Sequence, residues 1–289
     1  MIKTILVQLT GDPSDESTLE TAYLVARLFD SHLECLHISP DWAATVARAA
    51  RTAAHDMSGP ILSQDLIASF EQETKATRWR ARLHLAEFCK RWQLSASDSK
   101  PLLGRVSVTL REIWGETWRA TMHEARFHDL AVVAHQDGVN DLGSFILSAG
   151  RPVLIAPRRR PENLAPTIAI AWKETAESAR AISAAMPLLA RADRILILSV
   201  EDGYGSAATM ESAERAAQQL RWHGVNSEAH YLTPGDDTVA GAVVKSAREN
   251  RADLIVSGGY GHSRLRELVL GGVTRDLLRE SPLPLFFFH

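Results

Sequence analysis

The strongest chemical signal in the chain is a group of glycines near its carboxyl end. Gly258, Gly259 and Gly261 follow Ser257 and the apolar run Leu254-Ile255-Val256, with Tyr260 among them. Gly271 and Gly272 come next, then Val273-Thr274 and a helical pattern through Leu277 and Leu278. A strand that feeds glycines, which in turn feed a helix, aims backbone N–H groups at phosphate oxygens. Glycine suits such a loop because it tolerates positive φ and lets a ligand approach the main chain closely. The chemistry expected here is anion binding, mostly by main-chain groups. The Thr274 hydroxyl can add one contact.

Other residues offer less. Cys35 and Cys89 lack metal-ligand spacing, and His135 and His262 stand alone. No Ser/His/Asp order, paired carboxylates or metal cluster is apparent, so no catalytic residue and no metal site is expected. Ser257-Gly258-Gly259 is similar to the start of a pyrophosphatase-type loop. That loop belongs after a first strand and continues to an acidic residue, whereas here Tyr260-Gly261 follows. Trp79, Trp92, Trp114 and Trp118 are candidates for lining an apolar cavity.

The elements that must position these residues repeat. Strands are expected over 3–9, 33–38, 102–108, 129–134 and 152–156. Helices are expected over 17–29, 42–54, 64–93 and 109–126. The second pass places strands at 167–172, 194–200, 227–232, 253–256 and 285–288, and helices at 176–189, 209–223, 238–249 and from Val273. Asp129-Leu130-Ala131-Val132-Val133 echoes Asp253-Leu254-Ile255-Val256. Alternating strands and helices imply parallel sheets covered on both faces. The expected divisions are a first domain at 1–157 with a long helical insertion, a proline- and arginine-rich linker at 158–166, and a second domain at 167–289.

Composition sets limits. The chain has 289 residues, 45% of them hydrophobic, and a formal net charge of −3. That length supports two domains. The charge gives no basic footprint for nucleic acid. No apolar run is long enough for a membrane helix. The amino terminus reads as too weakly apolar for a signal peptide, and few cysteines suit a cytoplasmic compartment.

The spacing Gly258-x2-Gly261-x9-Gly271-Gly272 closely resembles the carboxy-terminal nucleotide motif of the universal stress protein family. The resemblance is strong in the last 40 residues, moderate over 165–255 and weak over 40–100. It implies an α/β fold of two tandem domains, each a five-stranded, mainly parallel sheet with helices on both faces. It further implies that Gly258 and Gly261 fold over ribose and the first phosphates, while Gly271, Gly272, Val273 and Thr274 meet the terminal phosphates. Trp172 and Lys173 at the end of the first strand, and Val200 at the end of the second, would face adenine.

Two departures stand out. Gly272 replaces the usual Ser or Thr, and Lys173 falls where nucleotide-binding members carry an acid. Lysine is a donor only and cannot accept from the adenine amino group. In the first repeat Thr10 matches Lys173, and Gly138 and Gly143 do not restore the glycine spacing.

The resemblance implies a non-catalytic stress-response protein with one ATP site, served by Mg2+ when ATP is bound. An interaction scaffold that has lost nucleotide is the alternative, and a weak ATPase a third reading. The two fifth strands are expected to pair within the chain as a pseudo-dimer; homodimer formation is a further expectation.

Overall fold

The computed structural model describes residues 1–41, 64–94, 104–135, 139–201, 206–259 and 272–289. The first pass contains β1 (Thr4–Leu9), α1 (Ser14–Phe29), β2 (His32–Ser39), α2 (Gln64–Trp92), β3 (Ser107–Trp114), α3 (Thr117–Ala125), β4 (Leu130–Ala134), α4 (Val139–Ser148) and β5 (Val153–Ala156). The second contains β6 (Thr167–Ala171), α5 (Ala176–Leu189), β7 (Arg194–Val200), α6 (Ser206–Trp222), β8 (Ser227–Leu232), α7 (Val239–Glu249), β9 (Leu254–Gly258), α8 (Gly272–Glu280) and β10 (Leu285–Phe288). The helix expected at 42–54 lies outside the described residues.

All ten strands join one sheet, in the order β3-β2-β1-β4-β5-β10-β9-β6-β7-β8. Every neighbouring pair is parallel except β5 and β10. Central strands such as β4, with all five residues buried, read as continuous apolar runs because helices cover both faces. One face packs residues of α1, α2, α5 and α6 around Val7, Leu154, Ile170 and Phe286. The other packs α3, α4, α7 and α8 around Leu6, Ile155, Ala169 and Phe287.

The antiparallel pair sets Leu154 opposite Phe286, both fully buried. The two residues hold the same place in their halves, since Leu154 pairs with Val132 of β4 and Phe286 with Val256 of β9. The halves are therefore related by an approximate twofold through this pair, and their strands run in opposite directions.

The aspartate echo has a structural reason. Asp129 Oδ2 accepts from the amides of Lys3 and Thr4, at 2.7 and 3.0 Å. Asp253 Oδ2 accepts from Thr167 N at 2.9 Å. Each carboxylate pins the start of its half's first strand to its fourth. The start of the linker is also tied down, because the Ser17 hydroxyl reaches the carbonyls of Pro157 and Arg159, at 2.6 and 3.2 Å.

Three expectations change. The third strand runs over Ser107–Trp114, not 102–108, and only Thr117–Ala125 of the expected helix at 109–126 is helical. Arg111 and Glu112 fall within that expected helix. They lie instead on an edge strand, where charge discourages further pairing. α4 was not anticipated, because Gly143 and polar residues mask its apolar stripe of Leu142, Phe145 and Ile146. The tryptophans do not share a cavity. Trp92 packs on one face of the sheet and Trp118 on the other, while Trp79 and Trp114 are exposed.

β3 holds α2 in place. Arg78 and Arg82 each grip the Glu112 carboxylate with two hydrogen bonds of 2.5–3.0 Å. These bonds pull the Glu112 pKa down to about 2. A depressed carboxylate stabilises the fold above its ordinary pKa and loses that contribution as pH falls through the folded value. Stability should drop between pH 4.5 and about 2 from this group. Screening of the partly exposed pair limits the loss to roughly 1 kcal/mol. Denaturant melts across this window should show Glu112→Gln lacking that part of the pH slope. An unchanged slope would mean that the pair contributes nothing to holding α2.

Candidate functional site

β6 lies between β9 and β7, so the chain leaves it in one direction and returns on its other side. Such a reversal opens a crevice at the carboxyl ends of the strands. The register sets Ala171 beside Ser257 and ties Trp172 N to the Leu198 carbonyl at 2.9 Å. Trp172, Lys173, Val200, Ser257 and Gly258 therefore come to one edge of the sheet. Gly272 begins α8, with Val273 exposed and Thr274 buried in its first turn. Tyr260, Gly261 and Gly271 lie outside the described residues.

Gly258 is required by packing. A Cβ there would come within 2.6 Å of Ser178 N, so the strand end lies hard against the start of α5. Thr175 caps that helix by accepting from Ser178 N at 3.3 Å. The Glu177 carboxyl is held below its usual range, first by its own backbone amide and also by Arg180. A helix start at this edge brings the positive end of a helix dipole to the crevice.

Gly259 marks where the loop leaves the sheet. Its amide donates to the Phe288 carbonyl at 2.9 Å, and its own carbonyl accepts from His289 Nδ1 at 2.7 Å. A Cβ on Gly259 would approach Ile146 Cγ2 of α4 to 2.8 Å. The first half thus helps to hold the root of the glycine loop in the second. Sequence reasoning missed His289 and Ile146, because these contacts arise only where the two halves meet.

The remaining residues point different ways. The Trp172 indole turns to the α5/α6 face, where Nε1 donates to Ser212 Oγ at 3.0 Å. Lys173 is exposed, and its carbonyl accepts from Thr175 N at 2.7 Å. Val200 pairs with Leu232 and buries its side chain on the opposite face. Ser257 is buried, its hydroxyl donating to the Gly258 carbonyl at 3.2 Å. Among the described residues no cluster of His, Cys, Asp and Glu fits a metal ion.

The matching edge of the first half is arranged differently. Asp15 is fully buried. Its carboxylate accepts from Thr10 N at 2.8 Å, Thr10 Oγ1 at 3.1 Å and Gly11 N at 2.9 Å. His84 Nδ1 of α2 lies 3.1 Å from the same group. Gly11 has φ +82°, and a Cβ there would overlap the Thr77 carbonyl of α2. Arg80 Nε donates to the Gly11 carbonyl at 2.9 Å. Helix α2 thus lies directly on the β1–α1 loop, and an internal carboxylate takes the amides of Thr10 and Gly11.

Residues 166–289 match the profile of the Universal stress protein family. A universal stress protein of Synechocystis sp. is 40% identical over 48 residues, a match that spans 17% of this chain and 17% of that relative. A solved universal stress protein from Archaeoglobus fulgidus DSM 4304 superposes with a TM-score of 0.67 at 14% identity, covering 99% of this chain and 97% of the other. A Pseudomonas aeruginosa UCBPP-PA14 structure provisionally assigned to the same family gives 0.56 at 15% identity, covering 100% and 93%. At these identities the structures establish the shared fold. Among the described residues no helix is long and apolar enough to cross a membrane.

The Asp15 network makes a direct prediction. Asp15→Ala strands the buried Gly11 amide and the half-buried donors of Thr10 and His84, at about 1–3 kcal/mol for an unsatisfied buried group. Chemical denaturation should show a loss of roughly 3 kcal/mol, near the cost of breaking a buried pair. An unaltered midpoint would show that these groups find other partners and that the carboxylate does not hold the loop.

Proposed function

We propose that this chain, whose residues 166–289 match the universal stress protein family, is a non-catalytic stress-response protein that binds one adenine nucleotide in its second half. The observation that carries the reading is Gly258, at the carboxyl end of β9, held hard against the capped start of α5 where the strand order reverses. In this reading the loop with Tyr260, Gly261 and Gly271 follows the phosphates, and Gly272 and Thr274 meet their far end. Helix starts favour that placement of negative charge. Mg2+ would accompany ATP. The first half supports the reading by contrast, since its loop amides already serve Asp15.

In this reading nucleotide is held and read rather than hydrolysed. Cys35 and Cys89 are free thiols, which fits a reducing compartment such as the cytoplasm. A scaffold that binds no nucleotide is the second reading, and the exposed Lys173 favours it.

Lys173 shapes the expected affinity. A donor at the adenine end leaves base recognition poor and lets the phosphates dominate. Binding should be weak, salt-sensitive and similar for ATP and GTP. Lys173→Asp supplies an acceptor worth roughly 1.5–3 kcal/mol, or about ten- to a hundredfold in favour of ATP. Calorimetric titration of both proteins at two salt concentrations tests this. Gly261→Val should abolish binding in the same assay. Tight, ATP-selective binding by the natural chain would overturn the placement of Lys173. No binding by any protein would leave the scaffold reading.

A further inference from the structure

We propose that the cleft between α5 and α6, which adjoins the glycine crevice at Trp172 and Thr175, is a second small-molecule site, for a compact ligand with a planar ring and both an acidic and a basic group. An aromatic amino acid is the simplest member of that class.

The cleft has a volume of about 550 Å³. That lies within the range of small-molecule sites. Its walls are Ala176, Ala179 and Ser183 of α5 facing Ser212 and Ala216 of α6. These side chains are too short to interlock, so the helices leave space between them. Ile182 and Ala216 form a buried floor. Trp172 closes the inner end, with its indole fixed by the bond to Ser212.

The fold does not require this opening. In the first half, the matching groove between α1 and α2 is filled. Tyr23 packs on Trp92 with ring centroids 4.5 Å apart and meets Phe88 edge-on at 5.6 Å. The charges of that groove are consumed as well. Arg91 pairs with Glu16 at 2.9 Å, and Trp92 Nε1 donates to Glu20 at 3.2 Å. The same pair of helices thus closes over aromatic rings in one half and stands open in the other.

The charges of the open cleft select the ligand. Glu174 and Arg215 both line it. Neither has an ion-pair or hydrogen-bond partner among the described residues, so they do not neutralise each other. A simple anion would gain Arg215 but meet Glu174, and a simple cation would meet the reverse. A ligand carrying ammonium and carboxylate satisfies both. A ring between them stacks on the Trp172 indole and covers Ile182.

Saturation-transfer NMR on the full chain tests the proposal, with L-phenylalanine, benzoate and phenethylamine as probes. L-phenylalanine at millimolar concentration should show ring contacts, and the two singly charged probes should bind at least about tenfold more weakly. Ala179→Trp fills the cleft and should abolish the signal. Arg215→Gln, a surface change that leaves packing intact, should weaken binding about tenfold. Saturating ATP should not displace the probe. The proposal fails if L-phenylalanine gives no signal, if benzoate binds as well, if Arg215→Gln binds normally, or if ATP competes.

Discussion

The structure depends on the backbone pairing of β5 with β10. Each half ends in an apolar strand that would otherwise be an open edge, and such edges invite association with other chains. Here each edge covers the other. Leu154 and Phe286 meet at equivalent positions and bury completely. The antiparallel pairing also reverses the second half relative to the first. The carboxyl end of α4 is thereby brought to the mouth of the second crevice, where Ile146 leaves no room for a side chain at residue 259. A contact that closes the sheet is also one that fixes the start of the glycine loop.

The halves repeat a frame without repeating its edge chemistry. In both, an aspartate before the fourth strand holds the start of the first. In both, a side chain near the end of the second strand bonds the carbonyl at the end of the first, from His37 to Leu9 and from Ser199 to Trp172. Beyond this frame the halves part. The crossover helix after β2 is 29 residues long, against 17 after β7. Its length lays Thr77 and Arg80 on the β1–α1 loop and brings His84 to Asp15. A longer helix and one buried carboxylate set the β1–α1 loop apart from the loop between β6 and α5.

Much of this frame is legible in the sequence, because short apolar runs and helix caps act locally. The bounds of α5, β7 and β8 follow from such signals. The pairing of the last strands is legible too, since Leu285 to Phe288 is too apolar to stay uncovered. What escapes the sequence is contact between distant segments. The charges of β3 look like a helix surface until Arg78, Arg82, Glu34 and Glu124 are seen to take them up. His289 and Ile146 carry no motif at all. The direction of the Trp172 indole depends on α6, forty residues later in the chain.

The central claim is that two similar halves hold a single nucleotide. Native mass spectrometry of the purified chain titrated with ATP and Mg2+ measures this directly. The account predicts one added nucleotide per 31.8 kDa chain, with no second step at higher concentration. Two nucleotides per chain, or none, would contradict it.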